Sequence, residues 1–142
     1  MKRESRRAAR IASLVLLLSL VFAAFVRFRL LDVPLERDEG EYAYMGRLIL
    51  EGTPPYAEAY NMKLPGIYVV YAGILALFGE TIRGIHLGLL AANLLAIVLV
   101  FAIARRLLSG IGAGAAAACY AVLSASRGVQ GVFANAEHFL LV

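Results

Sequence analysis

The stretch IASLVLLLSLVFAAFV, Ile11–Val26, holds sixteen residues without a charge and follows a decapeptide carrying Lys2, Arg3, Arg6, Arg7 and Arg10. Continued as a helix to Leu31 it reaches about 31 Å at ~1.5 Å per residue, the thickness of a bilayer's hydrocarbon core. A secretory signal peptide has the same order of parts. Its apolar region is shorter, however, and here further apolar blocks follow. Arg27 and Arg29 come directly after the stretch, placed to snorkel to the far interface. We therefore read a first crossing at 11–31, with residues 1–10 as a cytoplasmic tail under the positive-inside rule.

The chain of 142 residues is 61% apolar with a mean hydropathy of +0.77, and the apolar residues fall in blocks. Its formal charge of +4 comes from basic residues at the N-terminus and at Arg105-Arg106, where such residues set membrane orientation. They line no single face, so nucleic acid is excluded as a partner. Cys119 is the only cysteine, which excludes an intrachain disulfide and a cysteine-based metal site.

Residues 32–83 read as an outer loop that holds most of the carboxylates. Within it, Asp38–Leu50 reads as a short amphipathic helix with Tyr42, Met45, Leu48 and Ile49 on its apolar side, ended by Gly52, Pro54 and Pro55. Ile67–Phe78 follows Pro65-Gly66 and is only twelve residues long. At about 18 Å it is too short to span comfortably. If it crossed inward, the next span would leave Arg105-Arg106 outside; lying along the outer surface, it lets 84–104 cross inward and places them in the cytoplasm. Tyr42, Tyr44, Tyr56, Tyr60, Tyr68 and Tyr71 all fall in this loop, where amphipathic rings suit a membrane interface. Along 84–104, Gly84, Gly88, Ala92 and Ala96 recur at every fourth position, a face that admits a close neighbour. A third span is expected at 107–126, an outer segment opening at Arg127-Gly128, and the start of a fourth span at 136–142. That last stretch is far shorter than the ~20 residues a span needs. The sequence thus reads as an incomplete membrane domain, expected to be inactive on its own.

The densest polar stretch is Glu36-Arg37-Asp38-Glu39-Gly40-Glu41-Tyr42. Asp38 with Glu41 has the spacing of a capping box, and Glu39 would complement the helix dipole. Carboxylates just outside a membrane also suit a general base or a divalent cation held by oxygen ligands. Lys63 fits a snorkelling lysine equally well. Mid-span Asn93 suits a hydrogen bond between helices, and His86 an interfacial side chain. Glu137 and His138, at the start of the fourth helix, are ionisable groups at the membrane edge.

The order of Asp-Glu-Gly-x-Tyr (38–42), Glu-Gly-x-Pro-Pro-Tyr (51–56), Lys-x-Pro-Gly-x-Tyr (63–68) and Leu-Phe-Gly (77–79), with a span closed by Arg-Arg, resembles the GT-C glycosyltransferases. The resemblance is to the protein O-mannosyltransferases and aminoarabinose (lipid A) transferases, of which this would be the N-terminal part. It implies an all-α, polytopic membrane fold whose first outer loop carries surface-parallel helices. It also implies transfer of a sugar from a polyprenyl phosphate to a lipid, protein or glycan acceptor, on the outer face of the cell (inner or plasma) membrane. By the same resemblance Asp38 is the catalytic acid with Glu39 beside it, Tyr42 is the motif tyrosine, and Lys63 contacts the donor phosphate. Glu137 joins them as a substrate-binding candidate. The aminoarabinose branch has an acid before this lysine; Met62 stands there instead, which removes a metal ligand of that branch.

Transfer from a sugar phosphate requires the acceptor proton to be removed and the departing phosphate charge to be stabilised, tasks for one carboxylate and one fixed cation. The alternatives are a scaffold that packs through Gly84, Gly88, Ala92 and Ala96, or a transporter subunit for lipid-linked sugars. A transporter would place ionisable residues near the bilayer midplane, and here they lie at the edges.

Overall fold

Six α-helices are found among the described residues of the computed structural model, which are 2–126, 128 and 131–140. They are α1 Lys2–Arg29, α2 Arg37–Leu50, α3 Pro65–Phe78, α4 Ile82–Leu107, α5 Gly110–Leu123 and α6 Ala136–Phe139. Arg127 and the last two residues of the expected fourth helix lie outside the described set. The fold is all-α, and α1 and α4 are each long and apolar enough to cross a membrane. Their outward faces support that reading, because Leu14, Leu17, Leu18, Val21, Phe25 and Phe28 on α1 and Leu95, Val98 and Ile103 on α4 are exposed. Such contiguous apolar faces would be unstable in water and are matched by lipid. The first and second expected crossings, 11–31 and 84–104, fall on these two helices. At 14 residues, α3 and α5 are each about 21 Å long, shorter than a bilayer core.

The chain divides into two compact units. One comprises the residues up to Phe28 with Leu90–Val132. Its core joins Ala23 of α1, Ile97 of α4, and Ala117 and Ala121 of α5. Small residues make this possible: Ala113, Gly114, Ala117 and Ala121 form the buried side of α5, and a Cβ on Gly114 would sit 3.3 Å from Val15 Cβ. Asn93 donates to Ser124 Oγ at 3.1 Å, the interhelical bond expected of a mid-span amide. Arg27 departs from expectation. Instead of snorkelling it is 3% exposed and donates to the carbonyls of Gly131 (2.8 Å) and Ser124 (3.1 Å). Ser124 ends α5, and its carbonyl has no helical partner, so the guanidinium supplies the missing donor.

The other unit comprises Arg29–Leu89 and Phe133–Leu141. Its core gathers Tyr42, Met45 and Leu48 of α2, Tyr68, Tyr71 and Leu75 of α3, Ile85 and Leu89 of α4, and Ala134. Tyr42, Tyr68 and Tyr71 are thus core residues, whereas Tyr60 is 82% exposed. Helix α3 ends on Gly79, whose φ of +88° suits glycine, and Gly79 N–H closes on Leu75 O. A Cβ on Gly84 would fall on the carbonyl oxygens of Phe78 and Gly79, and one on Gly88 would fall on the Ile74 side chain. Two members of the small-residue face are therefore occupied within the chain, which weakens the scaffold reading.

Candidate active site

The cap of helix α2 lies two residues earlier in the acidic run than the sequence suggested. Glu36, extended at φ −76° and ψ 165°, is the N-cap, and Glu39 completes the capping box by accepting the Glu36 N–H at 2.8 Å. The capping pair is Glu36 with Glu39, not Asp38 with Glu41. Asp38 is left inside the first turn, its carboxylate released from capping. Glu41 instead accepts from the Tyr68 hydroxyl at 3.3 Å.

Lys63 reaches the same place from the loop before α3. Pro65 opens α3, where proline's missing N–H has no partner to lose. Upstream, Tyr56 takes a φ of +69° and its hydroxyl donates to the Lys63 carbonyl, with its ring against Tyr60 and Tyr68. The lysine backbone is thus tied to the aromatic cluster. Its ammonium lies 3.6 Å from Asp38 Oδ2 and 5.8 Å from the centre of the Tyr42 ring. The side chains of Lys63 and Asp38 are 41% and 24% exposed, so the pair is open to a ligand. Arg37 adds a second cation, 3.2 Å from Asp38 Oδ1.

The electrostatics agree with this geometry. A hydrogen bond with Tyr42, and then the negative charges of Asp38 and Glu137, raise Lys63 above the ordinary lysine range and keep it cationic. Burial pushes Tyr42 up, against the opposing effect of Lys63, so it remains a neutral phenol. Burial followed by the Glu41 charge takes Tyr68 up to about 12. Asp38, Lys63 and Tyr42 are therefore brought together, and the charge of Glu137 bears on Lys63 and Tyr42. Among the described residues no group of three or more His, Cys, Asp or Glu side chains could hold a metal ion.

Glu39 is not brought to that group. Its side chain is 0% exposed, and its Oε1 accepts the Ala134 N–H and lies 3.3 Å from His86 Nε2. Burial raises its carboxyl, but hydrogen bonds from His86, Ala134 and Glu36 outweigh that and leave it below the ordinary range. Glu39, expected beside Asp38 at the site, is thus placed in the core against His86 and Ala134. His86, expected at the interface, is 3% exposed and bound in the core. Tyr71 completes this side by donating to the Ala134 carbonyl at 2.6 Å.

Beside Lys63 opens a cavity of about 410 Å³ lined by Leu64, Ile67, Val70, Ala136, Phe139 and Leu140. A cation thus stands at the end of an apolar groove. Residues 62–142 match the family model of dolichyl-phosphate-mannose-protein mannosyltransferases, a match that begins one residue before Lys63 and covers more than half of the chain. The chain belongs to this family. It is a GT-C, mannosyltransferase-like family, and membership implies glycosyl transfer from a lipid-linked mannose in a membrane context. Asp38 and α2 precede the matched residues. No curated protein and no solved structure matches the chain.

Proposed function

We propose that this chain carries the donor site and the base of a membrane mannosyltransferase that uses a polyprenyl-phosphate-linked sugar. The observation that carries the reading is the Asp38–Lys63 pair at 3.6 Å, partly open and next to an apolar groove. The donor's isoprenoid chain lies in the groove, and its phosphate sits at the Lys63 ammonium. The acceptor hydroxyl gives its proton to Asp38 while its oxygen bonds the anomeric carbon of the sugar. The bond from that carbon to the phosphate oxygen breaks, and polyprenyl phosphate leaves with the added negative charge, which Lys63 stabilises. Tyr42 holds the ammonium, and Glu137 bounds the sugar side. Glu39 enters only through its support of α2.

The test is donor use. Lys63→Met keeps the stem and removes the charge, so the KM for a short-chain polyprenyl-phosphate mannose should rise about 10-fold or more in the full-length protein. An unchanged donor KM would remove Lys63 from the phosphate site.

The proposal also places the loop 32–83 on the outer side, with α2 and α3 along the surface. The motives are the positive-inside rule at Arg105-Arg106 and the short length of α3. On a Cys119-free background, cysteines at positions 58 and 81 should both react with an impermeant reagent from outside. Labelling of position 81 from the cytoplasm alone would overturn this arrangement.

A further inference from the structure

The proposed chemistry leaves the most buried ionisable pair unused. Glu39 of α2 and His86 of α4 are 0% and 3% exposed. Oε2 of Glu39 accepts the Glu36 N–H at 2.8 Å, and Oε1 accepts the Ala134 N–H and lies 3.3 Å from His86 Nε2. On the other side of the ring, His86 Nδ1 lies 3.0 Å from the carbonyl oxygen of Leu31.

A neutral imidazole has one N–H and one bare nitrogen. Here each ring nitrogen faces an oxygen. The Leu31 carbonyl can only accept. The Glu39 carboxylate already accepts two backbone N–H groups, the pattern of an ionised acid, so it too can only accept. The Nδ1 contact needs a hydrogen on Nδ1, and the 3.3 Å approach of Nε2 to the carboxylate is an ion-pair contact that a ring protonated on both nitrogens makes favourable. Asp32 is held by Arg83, and Tyr71 donates its hydroxyl hydrogen to Ala134.

We infer that His86 is an imidazolium, and that with Glu39 it forms a positioning pair that locks the first turn of α2, the segment before α6 and the chain at Leu31 into one arrangement. The first turn of α2 carries Asp38, and α6 carries Glu137. The pair therefore sets how two groups of the proposed site face Lys63 without touching substrate. What Asp38 and Glu137 then do rests on the transferase reading; the pair itself rests on the distances above.

Solution NMR of the chain in lipid nanodiscs, labelled with ¹⁵N-histidine, reads the ring directly. His86→Gln or His138→Gln, whichever folds, separates the two histidines. At pH 7.5 both His86 nitrogens should carry protons, and Glu39→Gln should return His86 to a neutral ring. A bare nitrogen on His86 in the unsubstituted chain would overturn the pair. In the full-length protein, Glu39→Gln and His86→Gln should each lower kcat about 10-fold or more with donor KM within about 2-fold, since they misplace the base and leave the phosphate cation in place. The double variant should lose no more than the worse single one, because the two act as a unit. Unchanged transfer in both single variants, or losses that simply multiply, would overturn the positioning role. Failure of the transferase reading is distinguishable, because it would leave the ¹⁵N result intact.

Discussion

Asp38→Asn should lower sugar transfer by about 100-fold or more in the full-length protein, because it removes the proposed base and keeps the size of the side chain. Stability should barely change. Capping of α2 belongs to Glu36 and Glu39, so position 38 contributes no cap to lose. What it does lose is a part-exposed ion pair with Lys63 and a contact with Arg37, and such pairs are worth at most about 1 kcal/mol. The defect also differs in kind from that of Lys63→Met. One acts on the chemical step and appears in kcat, and the other acts on donor handling and appears in KM. The measurement is initial rates against donor concentration, with melting followed in the same detergent. Near-wild-type rates in Asp38→Asn would end the assignment of the base, and a collapse of melting with activity would make Asp38 a structural residue.

The two long apolar helices were legible because length and hydropathy act locally: α1 and α4 need nothing beyond their own residues to be recognised. Helices α2 and α3 were legible for the same reason, through Tyr42, Met45 and Leu48 on one side of α2 and Pro65 at the start of α3. The capping register was not. Two acids spaced three apart occur twice, as Glu36 with Glu39 and as Asp38 with Glu41, and intrinsic preference favours aspartate at a cap. What decides is tertiary. Glu39 is drawn inward by His86 and Ala134, and the cap follows two residues upstream of Asp38. Burial of Arg27 is likewise invisible locally, since its acceptors are the carbonyls of Ser124 and Gly131, far away in sequence. The tyrosines misled for a related reason: interface and core both favour aromatic residues, and only burial separates Tyr42 and Tyr71 from Tyr60. The resemblance named Asp38 and Lys63 separately; their approach to 3.6 Å joins two motifs that no local pattern links.

Gly46→Ala should destabilise the unit built on α2 and α3 by about 3 kcal/mol, at the upper end of what overpacking costs. A Cβ on Gly46 would lie 2.8 Å from the backbone nitrogen of Ala72 and 3.1 Å from the Tyr71 carbonyl carbon. Backbone atoms inside a helix cannot rotate away as a side-chain tip can, so α2 and α3 must separate. The same helix supplies its own control. Gly40 has nothing within 4 Å of an added Cβ, and Gly40→Ala should stabilise by roughly 0.5–1 kcal/mol through helix propensity alone. Denaturant titration of both variants in mild detergent measures the two signs, and equal shifts would mean that α2 and α3 are not in close contact. The consequence for chemistry follows from where these helices begin. Asp38 and Tyr42 ride on α2, and Lys63 stands just before α3. Moving the helices apart therefore lengthens an Asp38–Lys63 separation that is already 3.6 Å. Transfer in Gly46→Ala should consequently fall even at temperatures where the protein remains folded.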